Sequence, residues 1–272
     1  MKYIERDATK IPALGFGTYQ LTGSSCMEAV ADAIKLGYRH IDTAVMYNNE
    51  ADVGEGIRKS GINRNELFVT TKLWTDSLAP DQVVKTTQAS LKALKSDYVD
   101  LLLIHWPSSS VPLEETLGAM DQLRHEGKVR FIGVSNFTIS WLEEAFKTGV
   151  PLLTNQVEYH ALLSQEKLLS FMKQHHLFLT AYSPLAQGRL VDHPVLREIG
   201  QKHHKSGIQV ALRWLIQQDQ VAAVPKASDP QKRRKNLNIF DFELDSEDLE
   251  RIQSLEKNRR FLDFPGLSPR WD

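Results

Sequence analysis

Short apolar runs alternate with amphipathic stretches along nearly the whole chain, and this alternation restricts the fold more than any other feature. Eight runs read as strands: Leu14–Gly17, Arg39–Thr43, Leu67–Leu73, Tyr98–Trp106, Val129–Val134, Leu152–Val157, Leu177–Tyr182 and Val221–Val224. The intervening segments have helical spacing. Met27, Val30, Ala31 and Ile34 share one face of Cys26–Leu36, with Gly37 as a stop. Glu50–Arg58 ends near Gly61, and Pro80 suits the first turn of Pro80–Leu94. Leu113–Glu126, Trp141–Phe146, Glu166–His175, Pro194–His203 and Gln209–Gln217 continue the pattern, and Pro230–Leu237 and Ser246–Glu256 follow the last strand. A helix between each consecutive pair, with near-continuous apolar strands such as Val99–Ile104, predicts parallel strands covered on both faces. Eight such units favour an α/β fold of the (β/α)8 TIM-barrel type over an open doubly wound sheet. Lys2–Ile4 and Ile11–Ala13 are expected to form a short N-terminal β-hairpin, with extra helices at the C-terminal end. No linker or composition shift divides the chain, so residues 1–272 are expected to form a single barrel domain.

Composition narrows the partners. Lys and Arg number 33 against 34 Asp and Glu, a net charge of -1, which argues against nucleic-acid binding driven by overall charge. Cys26 is the only cysteine, so no intrachain disulfide and no cysteine-rich zinc site can form; a reducing compartment suits this. Met1–Asp7 has no secretory apolar core, and no apolar run approaches the roughly 20 residues of a membrane helix. A cytoplasmic protein without membrane or nucleic-acid partners is expected. His175-His176 and His203-His204 are adjacent pairs whose side chains diverge on a helix, so no metal site is expected. Cys26 reads as a packing residue, and Trp141 and Trp214 fit helix faces packed on a barrel.

In such a barrel, chemistry collects at the C-terminal ends of the strands. Asp42, Lys72 and His105 fall at the ends of three successive strands, and Tyr47 follows the first of them closely. An ammonium beside a phenol favours the phenolate, which makes the phenol a readier proton donor. A carboxylate would keep the ammonium charged and aimed, and an imidazole could position a polarised carbonyl oxygen. Taken singly, Asp42 and Lys72 also fit a structural ion pair, Tyr47 a half-buried loop tyrosine and His105 a satisfied core histidine. Ser135, Asn136, Gln156, Tyr182, Ser183 and Lys226 occupy later strand ends. Lys232-Arg233-Arg234-Lys235 fits either a solvated helix face or an anion site near a helix N-terminus.

Several segments carry a family likeness. Gly15–Tyr19, Gly37–Ala44 with Tyr47, Thr71-Lys72, Leu103–Pro107, Gly133–Phe137, Asn155–Tyr159 and Ala181–Leu185 together resemble the aldo-keto reductases, in order and over practically the whole chain. The ending Gly266–Asp272 is similar to the branch that reduces 2,5-diketo-D-gluconate, methylglyoxal and other small carbonyls. The resemblance implies a (β/α)8 barrel that binds NADPH (NADP+) without a Rossmann domain, and no G-x-G-x-x-G opens a helix after the first strand. It implies Tyr47 as general acid, Lys72 and Asp42 as its electrostatic support, and His105 as the residue orienting the substrate carbonyl. It places Tyr182 beneath the nicotinamide, Ser135, Asn136 and Gln156 at the carboxamide, and Ser183, Leu185 and Gly188 in a loop over the pyrophosphate. Lys226, Ala227, Ser228, Lys232 and Asn236 match the 2′-phosphate and adenine segment. Lys232 stands where many members have arginine, and Lys235 replaces a common glutamate; the first loses a planar, bidentate phosphate ligand. Tyr19, Trp74, Trp106 and Phe137 would wall the substrate pocket, with the tail around Phe261–Trp271 as a cap. The implied partner is a small-molecule carbonyl, and the implied state a monomer. The rival functions are an NADPH-binding regulatory or structural protein on the same fold and, more distantly, a phosphosugar isomerase or lyase.

Overall fold

The computed structural model describes residues 1–6 and 8–272. Strands β1 (Tyr3–Arg6) and β2 (Thr9–Pro12) pair antiparallel with Ile4 opposite Ile11, the hairpin expected from the sequence. The Lys2 ammonium beside it donates to the carbonyls of Ile216 at 2.6 Å and Gln218 at 3.0 Å. These carbonyls end a helix, where the backbone dipole favours a cation.

Eight parallel strands follow: β3 (Phe16–Gly17), β4 (His40–Asp42), β5 (Phe68–Leu73), β6 (Val99–Ile104), β7 (Val129–Ser135), β8 (Leu152–Glu158), β9 (Phe178–Tyr182) and β10 (Val221–Ala223), hydrogen-bonded in chain order. The two edges meet. Gly15 N donates to Ala223 O at 2.8 Å, Ala223 N to Ala13 O at 2.8 Å, and Gly17 N to Pro225 O at 3.0 Å, which closes the sheet into the expected barrel. Of the expected Leu14–Gly17 run, Phe16–Gly17 is regular strand paired with β4, and Leu14 bridges in parallel to Ala223, so its backbone lies between β4 and residues 223–225. A Cβ on Gly17 would lie 2.7 Å from the Val224 carbonyl, so only glycine allows this approach.

The outer layer consists of α1 (Gly23–Leu36), α2 (Glu50–Ser60), α3 (Pro80–Leu94), α4 (Leu113–His125), α5 (Ile139–Lys147), α6 (Glu166–Gln174), α7 (Pro194–Lys202) and α8 (Gly207–Gln217). Two more helices, α9 (Pro230–Leu237) and α10 (Ser246–Gln253), come after the last strand. The last ends three residues before the expected Glu256. The chain is drawn off there because Lys257 O accepts from Ser164 N at 3.0 Å and Arg259 N donates to Leu162 O at 2.9 Å. Apolar side chains of the strands and the inner helix faces form one continuous core. Trp214 is buried and Trp141 packs against Phe137 at 5.7 Å, as helix-face residues should. Cys26 is buried within α1, and burial pushes its thiol up to about 12. No helix among the described residues is long and apolar enough to cross a membrane. No cluster of three or more His, Cys, Asp or Glu side chains that could hold a metal ion occurs among them either.

Candidate active site

The strand ends at the barrel's C-terminal mouth bring the four sequence-selected groups together. Lys72, fully buried on β5, donates to Asp42 Oδ1 at 2.6 Å, to the Thr43 carbonyl at 2.7 Å and to the Tyr47 hydroxyl at 3.5 Å. An ammonium has three protons, and each finds an acceptor. The other Asp42 oxygen accepts from Gln156 Nε2 at 2.8 Å, so the carboxylate is held from both sides. Tyr47 reaches the cluster from a 3-10 turn, Val45–Tyr47, that ends on Asn48 at φ 53°. Asn49 fixes that turn, accepting from Thr43 Oγ1 at 2.7 Å and donating to the carbonyls of Thr18 and Leu21 at 2.9 and 2.8 Å. The Tyr47 ring packs against Tyr19 at 5.0 Å and edge-on to His105 at 5.7 Å, and Trp74 meets the other side of that imidazole at 5.2 Å.

Burial sets the protonation states. It holds the Tyr47 phenol well above its ordinary value, helped by the Asp42 carboxylate. The Lys72 ammonium 3.5 Å away works the other way, favouring the phenolate as expected of an ammonium beside a phenol. Desolvation outweighs the ammonium, and the phenol keeps its proton near neutrality. Burial drives His105 well below its ordinary value, and Lys72 adds to this, so the imidazole is neutral. Burial also lowers Lys72, against the pull of Asp42. With a carboxylate 2.6 Å away, the pair is best described as ammonium and carboxylate.

Above this cluster lies a cavity of 780 Å³. Tyr47, His105, Trp106, Asn136, Gln156 and Tyr182 line one end, and Lys226, Lys232, Lys235 and Asn236 the other. Between them run Ser183, Leu185 and Gly188, in a loop with positive φ at Ser183, Ala186, Gln187 and Gly188. Asn136 braces the wall: its Oδ1 accepts from the Tyr182 hydroxyl at 2.7 Å and its Nδ2 donates to the His105 carbonyl at 3.0 Å. Ala227 lines the far end.

The family model described as "Aldo/keto reductase family" matches residues 13–257. The chain belongs to the aldo/keto reductase family. It is 42% identical to the glyoxal reductase of Bacillus subtilis over 256 residues, covering 93% of this chain and 92% of that one. It is 39% identical to methylglyoxal reductase DkgB of Escherichia coli O157:H7 over 266 residues, covering 96% and 99%. A crystal structure provisionally named 2,5-diketo-D-gluconic acid reductase B matches with a TM-score of 0.96 and 43% identity, over 100% of this chain and 98% of that one.

An aldo/keto reductase is an oxidoreductase that works with a nicotinamide cofactor, and the cavity suits one. It joins a braced aromatic face at Tyr182 to a cluster of ammoniums, as a flat ring and a polyphosphate require. Several sequence-selected residues stand back from the wall. Ser135 is buried behind it, donating to the Gln156 carbonyl at 2.8 Å. Ser228 is turned away, its carbonyl accepting from Arg233 Nη1 at 2.7 Å. Trp74 reaches the site only through His105. Phe137, expected in the pocket, is fully buried against Trp141 because Asn155 grips its backbone from both sides, at 3.3 Å on the N–H and 2.8 Å on the carbonyl.

Leu262 and Phe264 line the wall from the tail expected to cap the pocket, while Met46, Gln187, Val191 and Ile208 escaped the sequence analysis. None carries a distinctive side-chain chemistry, and only position in the fold selects them. Arg233 is a different omission. Within the basic run it turns inward, bonding Asp32 at 2.8 Å and the carbonyls of Ala227 and Ser228, and so shapes the loop beneath the lysines.

Proposed function

We propose that this protein is an NADPH-dependent reductase of small aldehydes and ketones, its substrates being dicarbonyls such as glyoxal and methylglyoxal, keto-sugars or keto-acids. The observation that carries this reading is the fully buried Lys72 ammonium, shared among Asp42, the Thr43 carbonyl and the Tyr47 hydroxyl. The names of the glyoxal and methylglyoxal reductases among its relatives support the substrate class.

A dihydronicotinamide held in this cavity would supply the hydride for the carbonyl carbon. Tyr47, kept protonated by burial, gives its proton to the developing alkoxide, and Lys72 stabilises the phenolate left behind. Neutral His105 directs the carbonyl oxygen toward Tyr47 by a hydrogen bond. Asp42 keeps Lys72 charged, and Gln156 holds Asp42. Tyr182 would be the platform for the ring, with Asn136 and Gln156 at the carboxamide and Ser135 behind them, its hydroxyl given to the Gln156 carbonyl. Ser183, Leu185 and Gly188 pass over the pyrophosphate. Lys226, Lys232 and Asn236, with Ala227, would take the 2′-phosphate and adenine, and Lys235 would add charge beside them. Tyr19 and Trp106 wall the substrate. The same reading treats residues 1–272 as one catalytic domain, a monomer of the cytoplasm.

The test is a panel of glyoxal, methylglyoxal, simple aldehydes, ketones and keto-sugars, assayed by loss of NADPH or NADH absorbance. Turnover with NADPH and a preference over NADH are expected. Tight NADPH binding without oxidation by any panel member would replace the reductase with a regulatory NADPH-binding protein.

A further inference from the structure

The segment after α10 has no helix or strand of its own, yet Leu262 and Phe264 from it line the cavity. We infer that Glu158, at the end of β8, is the positioning residue that fastens this tail and thereby sets the substrate side of the site. Glu158 is fully buried and pairs with Tyr182 across β8 and β9. A carboxylate at that depth needs hydrogen-bond donors, or its burial is prohibitive. Its Oε1 accepts from His160 Nε2 and from Phe261 N, both at 2.9 Å, and its Oε2 accepts from Leu262 N at 2.9 Å. Two of the three donors are therefore tail backbone, 103 and 104 residues further along the chain.

Hydrogen bonds to a charge are about twice as strong as neutral ones. The tail's other attachments are weaker or more exposed. Phe264 and Trp271 pack edge-on to Trp106 at 5.8 and 6.3 Å, and the Asp272 carboxylate accepts from Ile139 N at 2.9 Å. The dependence is mutual: the docked tail satisfies Glu158, and Glu158 keeps the tail docked. Residues two apart on a strand share a face, so Gln156 and Glu158 act from one side of β8. The first holds Asp42 in the proposed proton-transfer cluster, and the second holds Leu262 of the cavity wall. Glu158 does not line the cavity, so its influence on turnover must pass through the tail.

The kinetic arm of the test rests on the reductase reading; the exchange arm does not. Glu158→Gln offers one acceptor oxygen where there were two and turns an NH2 toward a backbone N–H. Amide exchange at Phe261, Leu262 and Phe264 in the full-length protein should accelerate by about tenfold or more. At saturating NADPH, the KM for a carbonyl substrate should rise by about tenfold, with kcat changed less than about twofold and NADPH affinity unmoved. In a Phe264→Ala/Trp271→Ala background, where the tail is already loosened from Trp106, Glu158→Gln should cost clearly less than it does in the parent. If Glu158→Gln does not fold, Glu158→Asp is read in the same arms, since it keeps the charge but withdraws it by one methylene, and effects of the same sign are expected. Unchanged tail exchange, a loss in kcat rather than KM, or full additivity in the loosened background would each overturn the inference. A parent protein without carbonyl turnover would overturn the reductase reading and leave the exchange result to decide the role of Glu158.

Discussion

Lys72 and Lys226 both stand at the mouth of the barrel, and the chain treats their charges in opposite ways. Lys72 is sealed from water and has an acceptor for every proton, all supplied by the protein. Lys226, Lys232 and Lys235 are exposed and make no salt bridge among the described residues. A buried ammonium must be compensated before any ligand arrives, so it belongs to the folded core as much as to the chemistry. Exposed ammoniums carry little folding penalty and keep their attraction for a polyanion. On the proposed reading, the first region serves one proton transfer and the second is kept for binding. Substitutions in the two regions should therefore fail in different ways.

The strongest test of the buried region is Tyr47→Phe. Without the phenolic proton, kcat should fall by about 10²–10⁴ while NADPH affinity, followed by fluorescence titration, stays within about twofold. Retained turnover would remove Tyr47 as the acid. Lys72→Met should cost both function and stability. It leaves Asp42 buried with Gln156 alone, a loss of about 3–5 kcal/mol measurable by denaturant unfolding. If Lys72→Met unfolded at the parental denaturant midpoint, the contrast with the exposed lysines would collapse.

Lys226→Ala samples the other region. NADPH should bind about tenfold more weakly and NADH with unchanged affinity, while folding stability shifts by no more than about 0.5 kcal/mol. Added salt should narrow the difference between parent and variant, because the exposed charges are screened and the buried pair is not. Equal losses for the two cofactors would move the 2′-phosphate away from Lys226.

The same contrast explains what could be read from the sequence. Asp42, Lys72 and His105 were legible because a polar group closing an apolar strand is conspicuous, and strand ends converge in a barrel. Tyr47 required the extra step of a short turn, which its neighbours Asn48 and Asn49 hold in place. Contacts spanning long separations were not legible. Arg233 looked like part of a solvated basic run; Asp32, 201 residues earlier, turns it inward. Phe137 looked like a pocket aromatic until the grip of Asn155 directed it into the core. The tail has no periodicity, so neither its path nor its fastening to Glu158 could be inferred from residue spacing. The protonation state of Tyr47 was not legible for a related reason: the sequence showed the nearby ammonium but not the depth of burial.

Burial at the mouth and floor also predicts a modest pH dependence of stability. His105 and His40 are both buried, and desolvation holds both below the ordinary histidine value of 6.5. In the unfolded chain they take up protons as the pH falls through 6.5, while the folded protein does not yet bind them. Unfolding is then favoured by proton uptake, so stability is fully present above 6.5 and declines on acidification below it. Thermal melts between that value and about pH 5, above the range where most carboxylates titrate, should show a falling midpoint. His105→Asn removes one contributor and leaves His40, so the slope should flatten without vanishing. A variant that keeps the parental slope would mean that His105 takes up protons in the folded protein as readily as in the unfolded chain, so that burial is not what holds it neutral.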